Sequence, residues 1–500
     1  MLNKEQQKVL KLLQSGKNVF LTGKAGTGKT FVLNIFLDWC KQEGKNVLVT
    51  APTGIAALNL GGITMHSAFN IPIPAFGHYD FEIKDSQIKA IFTVDVIIID
   101  EISMCRNDVF EYFYLVLKHV KEKTGKMPQV IVSGDFYQLP PVVQKDEVTK
   151  LKRLGFDESG YCFTSIYWKK LNFKCIELTI PVRQVDETFV TELDKLRRGD
   201  KTCLEYFNKR VSTKAPDDCV YICSTNATAD LINESCLNEL KGANYAYKAI
   251  RTGFCAKEYT VDNEIYLKPN AKVIVMSNDV INNKYQNGSI GIVKKCLTNS
   301  IVVKLENGKE VIVKYNKWAT NKITVSNGLT SKKEVGSFTQ LPIKLGYAVT
   351  MHKTQGQTYD NIFVSPSAFA DGQLYVALSR VKTIDGLFLD SPITGNDIKV
   401  SEKVSKFYEN FIYEIDEKIV AKKEDIYKKA LKKFKEKNKK KPSKKKTTKK
   451  VTKKPVTKKA TTKKAVVKKP VTKKTTTKKS RKKTTPKTVK KKTTKTSKNK

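Results

Sequence analysis

The chain has 500 residues, enough for two or three domains with ordinary cores, and carries 92 Lys and Arg against 49 Asp and Glu, a net charge of +43. Residues 441–500 hold 28 of those basic residues and no acidic one, which leaves +15 on the first 440, so body and tail both favour a polyanionic partner. Ten scattered cysteines without a C-x-x-C, four histidines, and the lack of a signal peptide, an Arg-rich transit stretch or a membrane-length apolar run point away from a zinc module, a secreted disulfide scaffold and a membrane partner, and towards an intracellular protein.

In chain order, residues 2–13 set Val9, Leu10, Leu12 and Leu13 among Lys and Gln, the pattern of a short amphipathic helix. Residues 18–22 read as a buried strand. They lead into Gly23-Lys24-Ala25-Gly26-Thr27-Gly28-Lys29-Thr30, which fills the pattern G-x-x-x-x-G-K-[ST], and then into a helical run with Val32, Leu33, Phe36 and Leu37 on one face. Glycines in such a loop let successive backbone N–H groups, including those of Ala25, Gly26 and Thr27, aim at phosphate oxygens. Lys29 reaches the β and γ phosphates and the Thr30 hydroxyl can hold Mg²⁺. The loop predicts hydrolysis of a nucleoside triphosphate.

Further apolar runs recur at 47–49, 96–99 and 130–132, separated by helical segments, and predict a parallel sheet covered on both faces. The run at 96–99 ends in Asp100-Glu101. There Asp100 can hold Mg²⁺ through its water shell and Glu101 can polarise an attacking water as general base. The run at 130–132 opens into Ser133-Gly134-Asp135-Phe136-Tyr137-Gln138-Leu139-Pro140-Pro141, where the Gln138 amide can read a γ phosphate and the prolines stiffen the loop.

A second α/β region is expected over 178–400. Within it, residues 272–340 turn to alternating β-rich runs punctuated by Asn287-Gly288 and Asn307-Gly308, the pattern of a small inserted β-barrel. Arg183 and Arg380 lie in this second region, and a guanidinium inserted across a cleft can stabilise charge developing on a transferred phosphoryl group. Val404, Phe407, Tyr408, Phe411, Ile412, Ile415 and Ile419 keep a helical stripe, so a docking helix is expected within 401–431. From 432 to 500 the chain is Lys, Thr, Pro, Val and Ala in short units, with no aromatic residue after Phe434. It cannot bury a core, and disorder is expected.

The ordered set of segments over residues 1–400 resembles the PIF-type (petite integration frequency) DNA helicases of helicase superfamily 1, relatives of the RecD-like enzymes. Residues 2–6 are similar to the adenine-reading Q motif, with Gln6 as the base contact, and residues 23–30 to motif I. Residues 51–57 and 61–67 resemble motif Ia, 99–104 motif II, 134–141 motif III, Arg183-Gln184 with 194–199 motif IV and the signature helix, 347–358 motif V and 372–380 motif VI.

The resemblance implies two RecA-like parallel-sheet domains, 1–177 and 178–400. It makes the β-rich insert SH3-like and places a small wedge-like insert near 70–92. It also implies ATP and Mg²⁺ as cofactors, single-stranded and forked DNA as partners, translocation from 5′ to 3′, and a monomer when free. Lys29, Glu101, Gln138, Arg183 and Arg380 take the catalytic roles, and Thr53, Gly54, His66, His352 and Lys353 face DNA. A non-specific DNA tether or a nuclear localisation signal would explain the tail, and a nucleus or viral factory the setting. No long extension precedes residue 2, so a mitochondrial form is not expected. The alternative from another class is a DNA-packaging or chromatin-binding protein with a vestigial ATPase, motivated by the lysine-rich tail.

Overall fold

The computed structural model describes residues 2–72, 83–184, 186–216, 218–253, 259, 261–279, 284, 285, 288–326, 329–412, 421–426, 428, 429, 432 and 436. The core of the wedge-like segment and nearly all of the lysine-rich tail, the subjects of two expectations above, lie outside the described residues.

The first sheet has six parallel strands: β1 (Val19–Gly23), β2 (Val47–Ala51), β3 (Ile63–Thr64), β4 (Val96–Ile99), β5 (Gln129–Ser133) and β6 (Lys174–Leu178), ordered β3-β2-β4-β5-β1-β6. Phe20 stands opposite Val132 and Cys175, which places β1 between β5 and β6. Every residue of β1, β4 and β5 is buried, which is why these strands read as continuous apolar runs.

Alternation then sorts their side chains by face. Val19, Leu21, Val96, Ile98 and Ile131 pack with the helices Lys4–Gln14 and Lys29–Gln42, through Val9, Leu13, Val32, Leu33 and Phe36. Phe20, Ile97, Ile99, Val130 and Val132 pack on the other face with Phe110 and Phe113 of the helix Asn107–Thr124 and with Trp168.

The second sheet is parallel and four-stranded. Its strands β7 (Val220–Cys223), β18 (Ala348–Thr350), β19 (Ile362–Val364) and β20 (Leu387–Leu389) are ordered β18-β7-β19-β20. Its core joins Val220, Ile222, Ile362 and Val364 to Phe189, Leu193 and Leu196 of the helix Glu187–Arg198.

Between β7 and β18 the described residues build antiparallel sheets from ten strands: β8 (Tyr245–Lys248), β9 (Ile250–Gly253), β10 (Glu264–Leu267), β11 (Lys272–Val275), β12 (Ile290–Leu297), β13 (Ser300–Leu305), β14 (Glu310–Lys314), β15 (Asn316–Ser326), β16 (Leu329–Gln340) and β17 (Ile343–Leu345). Tyr247, Ile265, Leu267, Val273, Val293, Ile301, Val303, Val311 and Val313 give this insert its own core. The β-rich segment therefore reaches from Tyr245 to Leu345, wider than the 272–340 read from the sequence. β8 buries only Tyr247 and β9 buries nothing, so these two strands lack the apolar alternation that marks β11, β13 and β14.

A helix docks within the expected 401–431, and part of its apolar stripe, Ile415 and Ile419, lies outside the described residues. A helix covers Glu402–Asn410 and ends at Phe411, whose backbone is left-handed (φ 53°). Phe411 turns off the helical path into edge-on contacts with Phe20 and Tyr408, so tertiary packing overrides the apolar stripe. Val404 and Phe407 sink into the core of the first sheet, where Phe407 stacks on Phe163 at 4.4 Å. The helix that follows the second sheet thus packs on the first.

Candidate functional site

The phosphate loop joins β1 to the helix Lys29–Gln42. Gly28 is left-handed (φ 84°), a backbone that favours glycine, and it packs against the Gln6 amide. Lys29 folds back on its own loop and donates to the carbonyls of Gly23 (2.7 Å) and Lys24 (3.0 Å). Burial pushes its amine below the ordinary lysine range, against the opposing pull of Asp135, Glu101 and Asp100.

Those carboxylates arrive from neighbouring strand tips. Burial and the adjacent Glu101 push the Asp100 carboxyl up to about 7, and its Oδ1 accepts from the Glu101 N–H at 3.0 Å. Glu101 itself has a left-handed backbone (φ 51°), a strained conformation for a non-glycine residue. Among the described residues no group of three or more His, Cys, Asp or Glu converges. That donor set suits Mg²⁺, which takes one or two carboxylates and completes its shell with phosphate oxygens and water.

Gln6 caps its own helix reciprocally with Asn3, and its Nε2 donates to Thr27 O at 3.4 Å, so the amide is held against the loop. Glu5 accepts from the N–H groups of Thr179 and Ile180, which ties β6's exit to the same helix. Phe31, Ile180 and Val182 stand about half exposed, and Phe31 and Val182 both approach Gly28. These apolar walls around an amide can hold a purine base. The sequence reading missed them because each looks like an ordinary core residue.

The second sheet closes the site through contacts that bridge the two halves. Tyr375, on the helix Gln373–Leu378, accepts from the Ala25 N–H at 2.8 Å. Gly26 O accepts from the N–H groups of Val182 (2.7 Å) and Arg183 (3.2 Å), and Lys24 pairs with Asp194 at 3.1 Å. Gln355 Nε2 donates to Glu101 Oε2 at 2.8 Å. Gly372 packs so closely on the loop after β5 that a Cβ would lie 2.3 Å from Tyr137 O and 2.6 Å from Gln138 O. Gln138 is buried under this contact.

At the centre lies Asp135, which takes a two-pronged bond from Arg197 Nε (3.0 Å) and Nη2 (2.9 Å), both residues being almost fully buried. Burial alone would raise the Asp135 carboxyl, but Arg197, with Lys29 and the Tyr137 N–H, holds the group below the ordinary aspartate range. The Arg197 guanidinium lies over the Tyr137 ring at 4.5 Å, and Tyr137 stacks on Tyr408 at 4.9 Å. Tyr408 OH in turn reaches Thr22 at 2.8 Å and accepts from the Phe136 N–H at 3.0 Å.

The arginines differ in position. Arg183 lies against Gly26 and donates to Ser379 O at 3.1 Å, beside Gln184, which donates to Ser379 O and Val381 O. Arg380 is turned into its own half, donating to Val376 O (2.6 Å), Thr354 O (3.2 Å) and Ser379 Oγ (2.7 Å). Burial, reinforced by Arg183, pushes its guanidinium down to about 9.

The candidate DNA contacts fall in two places. Thr53 Oγ1 accepts from Ala56 N–H at the start of the helix Gly54–Asn59, and Gly54 faces open space. Asn59, at the end of that helix, lines a cavity of about 830 Å³ together with Lys353, Lys344 and Gln357. His352 lies beside the exposed Phe369, ring centroids 6.2 Å apart. His66 instead lies within electrostatic range of Asp108 and Arg106. Burial lowers both imidazoles below the ordinary histidine range.

A phosphate loop on one parallel sheet, closed by polar and charged groups of a second parallel sheet, defines a two-sheet P-loop nucleoside triphosphatase whose site draws on both halves. The chain belongs to the PIF1-like helicase family: residues 1–212 match that family's model. It is 31% identical to the ATP-dependent DNA helicase Pif1 of Campylobacter jejuni, covering 81% of this chain and 97% of that protein. It is also 31% identical to the Xenopus laevis ATP-dependent DNA helicase PIF1, covering 77% of this chain and 61% of the relative. Among solved structures, Bacteroides Pif1 bound to single-stranded DNA is 33% identical (TM-score 0.66, 82% of this chain and 96% of that one). The Candida albicans Pif1 helicase is 28% identical (TM-score 0.68, 82% and 99%).

Arg197→Met leaves Asp135 buried without its counter-charge and is expected to lower the unfolding free energy by about 3–5 kcal/mol, with the Asp135→Asn/Arg197→Met pair costing less. Because the folded carboxyl titrates below its ordinary range, the contribution is present above that range and lost as pH falls through the lower folded value. Urea midpoints of the single and paired variants check this. A single variant as stable as the original chain contradicts it.

Proposed function

We infer that the chain is an ATP-dependent DNA helicase in which ATP hydrolysis is completed by closure of one sheet on the other. The observation that carries the reading is the set of contacts from the second sheet onto the phosphate loop and Glu101. A small-molecule kinase or a switch GTPase has no use for such a partner sheet. Relatives named as ATP-dependent DNA helicases support it, as do Bacteroides Pif1 structures with single-stranded DNA and with ADP-AlF3, and a structure that concerns unwinding at forked duplex DNA by two Pif1 helicases. The packaging alternative rests on the tail alone and leaves the complete phosphate site without a task.

In this reading Gln6, Phe31, Ile180 and Val182 hold the adenine, and the backbone of residues 23–30 and Lys29 hold the phosphates. Thr30 and Asp100 would hold Mg²⁺, which draws charge from the phosphate oxygens when bound. Water attacks the γ phosphorus as Glu101 takes its proton. Arg183 stands beside the loop to meet the developing charge, and Arg380 reaches it by exchanging its carbonyl partners for phosphate oxygens. Gln138 reports phosphate loss to the second sheet through Gly372.

The proposed division is a first RecA-like domain over 1–177 and a second over 178–400, with the β-rich insert as an SH3-like subdomain. Thr53, Gly54, His66, His352 and Lys353 face a single strand, which moves 5′ to 3′ through a monomeric motor. Repair, recombination, replication or telomere maintenance would use such a motor, in a nucleus or a viral factory.

Lys29→Ala or Glu101→Gln should abolish ATP turnover and strand separation while single-strand binding stays measurable. The check is unwinding of 5′-tailed and 3′-tailed duplexes in parallel. Normal unwinding by either variant refutes the site, and a preference for the 3′ tail refutes the direction.

The 28 basic residues of 441–500 supply non-specific phosphate neutralisation, and their runs also suit a nuclear localisation signal. Removing them should weaken DNA binding and flatten its dependence on salt, with ATP turnover at saturating DNA nearly unchanged. Affinity measured at several salt concentrations checks this, and a large fall in the saturated rate contradicts a tether.

A further inference from the structure

Glu101, the general base of this reading, is bonded by one side chain from the opposite sheet. Gln355 Nε2 donates to Glu101 Oε2 at 2.8 Å. Gln355 is only 6% exposed, and its other polar atom, the carbonyl Oε1, is buried and meets no donor among the described residues. The amide cannot simply be reversed, because that would face its carbonyl oxygen with a carboxylate and strand two acceptors together. Next to the base, then, stands a buried acceptor whose orientation the base itself enforces, and a buried acceptor of this kind calls for a donor.

We propose that Gln355 is a positioning residue for the hydrolytic step, holding Glu101 through its N–H and accepting a hydrogen bond from the attacking water at its Oε1. As the water oxygen bonds to the γ phosphorus, one O–H proton passes to the Glu101 carboxylate. The other O–H stays on the new phosphate oxygen and points at Gln355 Oε1. The bond from the γ phosphorus to the bridging oxygen breaks, and its electron pair leaves with ADP. Gln355 neither gains nor loses a proton.

Its place in the chain adds a second consequence, which rests on the reading that motif V faces DNA. Residues 351–354 form a tight 3₁₀ turn carrying His352 and Lys353, locked by Thr354 Oγ1 donating to Met351 O at 2.7 Å. Arg380 donates to Thr354 O from the other side. Gln355 follows directly, so a strand that shifts this turn shifts both the donor to the base and the acceptor that orients the water. DNA binding is thereby converted into alignment of the nucleophile.

The test uses the full chain with Gln355→Ala and the near-isosteric Gln355→Glu, which keeps the volume while placing a carboxylate against Glu101. Measured are ATP turnover with and without saturating oligo(dT), and oligo(dT) affinity in the presence of a non-hydrolysable ATP analogue. Both variants should lose about 100-fold in kcat, the scale of misplacing a reacting group by about an ångström. KM for ATP and oligo(dT) affinity should stay within about threefold, since the contact acts on the base rather than on ground-state binding. A kcat within about threefold of the unaltered chain overturns the proposal, as does a loss of turnover matched by an equal loss of DNA affinity. Failure of the DNA reading shows separately, as an unaltered chain whose turnover ignores oligo(dT). In that event the same threshold applies to the DNA-free rate and decides the role of Gln355 alone.

Discussion

The buried pair of Asp135 and Arg197 is the joint on which the two halves of this protein meet. Asp135 comes from the loop after β5 of the first sheet, Arg197 from the helix Glu187–Arg198 beside the second, and Tyr408 from the helix Glu402–Asn410 covers them. Taking two charges out of water is costly, and the two-pronged geometry, the ring of Tyr137 and the Tyr137 N–H offset that cost here. The same carboxylate lies within electrostatic reach of Lys29, so the joint and the phosphate loop share one field. A change at the joint is therefore felt at the nucleotide.

Around that joint the charges sit far from their comfortable states. Burial pushes Lys29, Arg183 and Arg380 towards losing their protons and pushes Asp100 towards keeping one. A bound triphosphate would set negative charge beside these three groups and favour their charged forms, and a divalent cation would do the same for the aspartate. Arg380 is stored on carbonyls of its own half, which are weaker partners than phosphate oxygens.

Much of this was legible in the residues. Continuous apolar runs reported β1, β4 and β5 because those strands are buried on both faces, and the glycine pattern reported the loop because only glycine tolerates its backbone. Asp100 and Glu101 could be read from their place after such a run. The partners across the cleft were not legible. Arg197 looks like any basic residue in the last turn of a helix, Tyr375 like one more apolar position in 373–378, and Gln355 like a neutral turn residue. Each acquires its role only by meeting a segment far away in the chain, as Tyr375 meets Ala25, and such pairings leave no local periodicity. Phe411 shows the converse failure: a stripe that fits a helix was overruled by an aromatic core with room for one more ring.

The central claim is that chemistry at the phosphate loop waits for the second sheet, and that DNA brings the two into register. The most direct measurement is the ratio of ATP turnover at saturating single-stranded DNA to turnover without DNA, in the full chain at fixed salt. The account predicts a rise of at least about tenfold, equivalent to about 1.4 kcal/mol of barrier lowering. Turnover that stays the same as DNA is added would contradict it.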